Sequence, residues 1–219
     1  MRVKRETVSE QCTKLLRDDI FNRKLLPGTA VTEEALARDM GVSRATVREV
    51  LSTLTAEGLL TRNPTTRSLH VTRLGPENIQ EIYCARRFLE TGGITAYADR
   101  DDSALQPLIE ATNRLVDAVR ARDHRDIVQA DIACHIEIVG LIGSAELVDF
   151  YKGLLARLQL AMAAVATSRQ YNLEALLEDH VELIRLLDQR KIDEAREHVI
   201  DRMNRAEMHL LAATKMPQR

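Results

Sequence analysis

The stretch from Glu34 to Leu51 admits few folds. Leu36 and Ala37 lie on one face of a first helix, and a residue as small as Ala37 lets a second helix cross close to it. Gly41 supplies the positive φ that a tight inter-helix turn needs, Val42 plugs the turn from beneath, and Ser43 suits the N-cap of the second helix. Val47, Val50, Leu51 and Leu54 then recur at helical spacing, which leaves Arg44, Thr46 and Arg48 at the N-terminal end and off the apolar face. The pattern predicts a helix-turn-helix whose second helix enters a DNA major groove. There arginine binds guanine bidentately and a helix N-terminus meets phosphate.

Gly58 closes that helix, and Leu60 to Val71 carries threonine and valine around a turn at Asn63, Pro64, Thr65 and Thr66. This reads as a β-hairpin wing with Arg62 and Arg67 near its tip. Leu26-Pro27-Gly28-Thr29, Leu36-Ala37, the run Gly41 to Leu51 and Glu57-Gly58-Leu59-Leu60 together resemble the winged helix-turn-helix of the GntR family of bacterial transcription regulators. The resemblance covers roughly residues 5 to 73. It implies that Ser43, Arg44, Thr46 and Arg48 contact DNA, with Arg67 reaching from the wing. Ala45 and Thr46 replace the family's usual Thr-Pro, and the common wing glycine is missing around Arg67 and Ser68.

The whole chain of 219 residues carries a net charge of only −2, which suits a DNA binder once it is divided. Residues 1–75 hold 13 basic against 9 acidic side chains, and residues 76–219 hold 18 against 24. The first part is therefore suited to a phosphate backbone, and the second is not. Apolar residues make up 45% of the chain, enough for two cores. The longest apolar run, near Leu158 to Ala166, is too short to span a bilayer, and no signal-peptide core follows the basic start. These features predict a cytoplasmic protein without a membrane partner. Cys12, Cys84 and Cys134 are odd in number and lack paired spacing, so they read as small buried thiols.

Gly75 and Pro76 mark a boundary, with a DNA-binding domain over 1–74 and a helical domain over 75–219. Helices are expected near 76–100, 103–121, 124–141, 145–170, 174–190 and 191–213. The fold class is thus mostly α: a winged helix-turn-helix with a small hairpin, followed by an all-α bundle.

Within the bundle, Asp131 and His135 stand one helical turn apart, a spacing at which a carboxylate and an imidazole chelate one metal ion. His180 offers a third ligand. With Ile82 to Glu90 opening the domain, these residues resemble the FadR C-terminal ligand-binding (FCD) domain over roughly residues 77 to 212. Many members hold a divalent metal with one aspartate and three histidines, and small organic acids bind at or beside it. The resemblance implies Asp131, His135 and His180 as ligands of zinc, nickel, manganese or iron. Arg202 falls where the fourth ligand is expected, and His198 lies one turn earlier. Three arrangements stay open: three protein ligands plus water or an effector oxygen, a contribution from His198, or Arg202 gripping an anionic effector in the metal's stead. Arg86 matches a family arginine that faces the cavity, and it equally suits an ion pair with Glu90.

The expected protein is a homodimeric repressor on an inverted-repeat operator, controlled by a small carboxylate held through Arg86, Arg202 or His198. The alternative is a metal-dependent helical enzyme with a DNA-binding head. No Gly-rich phosphate loop accompanies the candidate ligands, and Ser144 and Ser168 lie in no triad setting.

Overall fold

Each of the first three helices begins just after a hydroxyl side chain. Thr7 caps α1 (Val8–Phe21) in a reciprocal capping box with Glu10, Thr32 caps α2 (Glu33–Met40), and Ser43 caps α3 (Arg44–Ala56). Gly41 ends α2 at φ 66°, the left-handed turn its position calls for. These elements come from a computed structural model, which describes residues 6–165 and 172–214. The chain divides into two compact units.

The first unit holds the chain to Gly75 together with the described residues 156–165. Its strands β1 (Ala30–Val31), β2 (Leu60–Arg62) and β3 (Leu69–Val71) form an antiparallel sheet in the order β1-β3-β2. The β2–β3 pairing sets Leu60 opposite Val71 and Arg62 opposite Leu69, which is the expected hairpin. The two-residue β1 went unread in the sequence, being too short for any alternation. Leu16, Ile20, Val47, Val50, Leu51, Leu54, Leu59 and Val71 fill the core, joined by Leu160.

The second unit is helical: α4 (Pro76–Tyr97), a 3-10 turn at Asp102–Leu105, α5 (Gln106–Ala121), α6 (His124–Gly140), α7 (Ala145–Val165), α8 (Leu173–Asp188) and α9 (Ile192–Thr214). Of α7, the portion up to Leu155 belongs here. Pro76 opens α4 as its missing N–H allows, and Asp123 and Asn172 cap α6 and α8. Pairs α5–α6, α4–α9, α4–α6, α8–α9 and α5–α8 pack together. The expected helix end at 170, and Ser168, lie outside the described residues. Cys12 and Cys134 are buried as expected, whereas Cys84 is exposed. Among the described residues no helix is long and apolar enough to cross a membrane.

Candidate functional site

The N-terminal turn of α3 gathers the side chains expected to meet DNA. Ser43 Oγ accepts from the Thr46 backbone N–H at 3.1 Å and lies 2.9 Å from Thr46 Oγ1, so both hydroxyls sit at the positive end of the helix. Arg44 and Arg48 are exposed. Each faces an acid from the start of α2: Arg48 Nε donates to Glu33 Oε2 at 2.9 Å, and Arg44 Nη2 stands 3.6 Å from Glu34 Oε1. Sequence spacing did not expose these pairs, because they depend on how α2 crosses α3. In the wing, Asn63 Oδ1 accepts from the Thr65 and Thr66 N–H groups at 2.9 Å. Arg67, exposed, takes φ 60° at the expected glycine position.

The second unit carries a buried polar centre built from five helices. α6 presents Asp131 and His135 one turn apart, α8 presents His180, α4 presents Arg86 and Glu90, α7 presents Tyr151, and α9 presents Arg202. Glu90 is wholly buried and gathers donors from all sides. Arg86 reaches Oε1 at 3.1 Å, Tyr151 donates to the same oxygen through its hydroxyl, His135 Nδ1 lies 2.9 Å from Oε2, and Arg202 Nη2 lies 3.4 Å from it. The Arg86–Glu90 ion pair that sequence spacing allowed is therefore present.

Hydrogen-bond partners fix both imidazoles. His180 Nδ1 donates to the Leu176 carbonyl at 2.8 Å and His135 Nδ1 donates to Glu90, which turns the lone pair of each Nε2 inward. Asp131 Oδ1 stands 3.2 Å from His180 Nε2 and 3.7 Å from His135 Nε2, buried and without a donor among the described residues. Three acceptor atoms thus lie within 4.8 Å of one another, each imidazole backed by an oxygen acceptor on its far nitrogen. That donor set fits a divalent metal. At the fourth position Arg202 Nη1 lies 3.0 Å from His180 Nε2. His198 is not brought to the centre: its Nε2 donates to the Asp179 carbonyl at 2.8 Å.

Charges balance inside the centre. Burial drives the His135 pKa down to about 4, against the pull of Glu90 and with Arg86 and Arg202 pushing the same way, so the ring is neutral near pH 7. Burial opposes ionisation of Glu90, but His135, Arg86 and Arg202 together hold it well below the usual carboxylate range. Asp131 is held low in the same manner by His135, His180 and Arg202 against its burial. Burial and the neighbouring Glu90 push the Tyr151 hydroxyl far up, so it serves only as a donor to that acid. Glu90 was visible in the sequence only as a partner for Arg86. Tyr151 gave no signal at all, being one aromatic residue on an apolar helix.

Similarity to known proteins divides along the same boundary. The model described as bacterial regulatory proteins, gntR family, matches residues 8–68, and that of the FCD domain matches residues 81–205. YdhC, an HTH-type transcriptional regulator of Bacillus subtilis strain 168, is 23% identical over 89% of this chain and 87% of its own. A GntR-type regulator from Rhodococcus sp. RHA1 superposes with a TM-score of 0.81 at 22% identity, over 94% of this chain and 98% of that one. E. coli McbR/YncC superposes at 0.77 and 20% identity, over 96% of this chain and 100% of that one. At these identities the two structures are evidence of shared fold.

Proposed function

Since the chain belongs to the GntR family of bacterial regulatory proteins and carries an FCD domain over more than half its length, we propose that it is a homodimeric, cytoplasmic repressor released from its operator by a small organic acid. It is a DNA-binding transcriptional regulator and not an enzyme, in keeping with its relatives. In the proposed division, residues 1–74 read an inverted-repeat operator, and residues 75–219 pair two copies and receive the effector. Phe88 on α4 and Met208 on α9 stand 79% and 62% exposed, apolar surface that a second copy would cover.

The observation that carries the effector reading is the buried centre. A bundle needed only for pairing has no use for two guanidiniums, two carboxylates and two imidazoles in its interior, since each must be desolvated. Such a centre suits a polar ligand. Asp131, His135 and His180 would hold a divalent metal, and Arg86 and Arg202 would neutralise a carboxylate. A metal, when bound, supplies Lewis-acid attraction for carboxylate oxygens. For the effector to release DNA it must bind the non-binding state more tightly, since equal affinity for both states shifts nothing.

Three measurements test this reading. Titration of operator binding with small mono- and dicarboxylates should lower affinity; a ligand seated in the centre that leaves it unchanged overturns the switch. Elemental content of untagged protein, against Asp131→Ala, reads the metal. For the head, Arg48→Ala should cost about 1–3 kcal/mol and relax preference at one base per half-site, and a uniform loss across sequences would make it a phosphate contact.

A further inference from the structure

The acids that open α2 face the arginines of α3, and their effect reaches beyond affinity to the choice among DNA sequences. We propose that Glu33 and Glu34 set sequence specificity: they restrain Arg48 and Arg44 so that DNA of arbitrary sequence is held more weakly, while the operator is weakened far less. This rests on the reading of α3 as the helix that meets DNA.

Position is the first argument. Of the 9 acidic side chains among residues 1–75, two occupy the first turn of α2, and each stands beside one arginine of α3. An acid there suits the positive end of α2. That role needs no arginine, and Thr32 already caps the helix by accepting from the Ala35 N–H. Both pairs cross between helices and lie open to solvent: the side chains of Arg48 and Glu33 are 67% and 40% exposed, and those of Arg44 and Glu34 64% and 77%. Pairs so exposed add little to stability. They stand instead on the surface that α3 offers to DNA, where a carboxylate meets phosphate.

The atoms used separate two modes of binding. Arg48 donates through Nε to Glu33 Oε2 at 2.9 Å, on the side of the guanidinium, which leaves its two terminal nitrogens to act as a fork. Guanine takes such a fork on O6 and N7. An operator that places a guanine there receives Arg48 with its Glu33 pair intact, so the carboxylate stays neutralised at the DNA. Without that guanine the arginine gains only by reaching a phosphate. It must then leave Glu33, and an unpaired carboxylate is left against the backbone. Glu34, 3.6 Å from Arg44 Nη2, is the looser partner and repeats the penalty on the preceding turn of α3. Discrimination of this kind comes from burdening the wrong partner and not from new contacts to the right one.

The test compares two duplexes on the full-length protein: one selected from a random-sequence library by wild-type binding, and a shuffled version of it. In fluorescence anisotropy at low salt, Glu33→Gln/Glu34→Gln should bind the selected duplex about 20-fold tighter than wild type and the shuffled one about 200-fold tighter, so that preference falls about tenfold. Asp18→Asn/Asp19→Asn removes the same charge from α1 and should leave the preference at its wild-type value. Equal gains on both duplexes, or the same fall in the α1 variant, overturn the inference and leave a general charge effect. Weaker binding of the selected duplex overturns it too, and makes Glu33 and Glu34 groups that aim the arginines. Arg44→Ala/Arg48→Ala tests the reading beneath. A selected duplex bound by that variant as by wild type means that α3 is not the DNA-reading helix, whereas a lost preference there, together with equal gains in the acid variant, keeps that reading and sinks the restraint alone.

Discussion

Arg202 on α9 places Nη1 3.0 Å from His180 Nε2 on α8, so a guanidinium holds the lone pair that the imidazole turns toward Asp131. The same side chain reaches Glu90 with Nη2 at 3.4 Å and thus ties α9 to both α8 and α4. Arg202→Met should therefore lower stability by about 3 kcal/mol, because it leaves buried carboxylate charge short of a partner. Arg202→Lys should recover little, since one ammonium lacks the fork that spans both partners. Arg205→Met, also on α9, removes a pair with Asp179 of α8 in which the arginine side chain is 51% exposed, and should cost less than about 1 kcal/mol. Urea unfolding of the three variants in chelator reads the difference; equal costs would mean that the buried contacts add nothing.

Acid should unfold this protein earlier than carboxylate titration alone predicts. His135 has a folded pKa of about 4 against an unfolded value near 6.5, so the unfolded chain binds the extra proton as pH falls between them. Stability is whole above 6.5 and declines toward 4, by about 3 kcal/mol for this group. Asp131 and Glu90, both held low, extend the loss below their unfolded values near 4. Unfolding midpoints in chelator at pH 7.5, 6 and 5 should fall in that order, and His135→Gln should flatten the upper part of the slope. A midpoint constant from 7.5 to 5 would mean that His135 titrates alike in both states.

The head was far more legible in the sequence than the centre. Gly41, Ser43 and the spacing of Val47, Val50, Leu51 and Leu54 each encode their role locally, through a turn conformation, a cap and a helical stripe. They reappear in the structure as read. The centre is assembled across five helices, and only the Asp131–His135 and Arg86–Glu90 spacings are local. Tyr151 enters through the way α7 meets α4, and Glu90 meets His135 through the way α4 faces α6, which no single helix periodicity contains. Glu33 escaped notice for the same reason: an acid in the first turn of a helix is ordinary until another helix brings Arg48 to it.

That pair leads to a test on DNA. Glu33 Oε2 holds Arg48 Nε at 2.9 Å on an exposed face, where the acid both engages the arginine and repels phosphate. Glu33→Gln should tighten operator binding by about three- to tenfold at low salt, with the gain shrinking as salt rises, because phosphate contacts are screened. Gel-shift titrations at two salt concentrations measure it. Weaker binding by the variant would mean instead that Glu33 aims Arg48 at its base.

Two helical glycines separate packing from propensity. A Cβ on Gly93 of α4 would stand 1.9 Å from the Ile138 carbonyl oxygen and 2.9 Å from its carbon, both backbone atoms of α6. That distance lets α4 lie close against the helix that carries Asp131 and His135, one turn beyond Glu90. Gly153 of α7 has nothing within 4 Å of the same position. Alanine is worth about 1 kcal/mol over glycine in a helix interior, so Gly153→Ala should stabilise by up to that amount. Gly93→Ala gains the same propensity but must push two backbones apart, and overpacking against backbone wins. A loss of about 3 kcal/mol or more is expected, with reduced occupancy of any ligand in the centre because Arg86 and Glu90 shift with α4. Paired urea unfolding of the two variants decides it: a Gly93→Ala protein as stable as Gly153→Ala would mean that α4 and α6 are not held this close in solution.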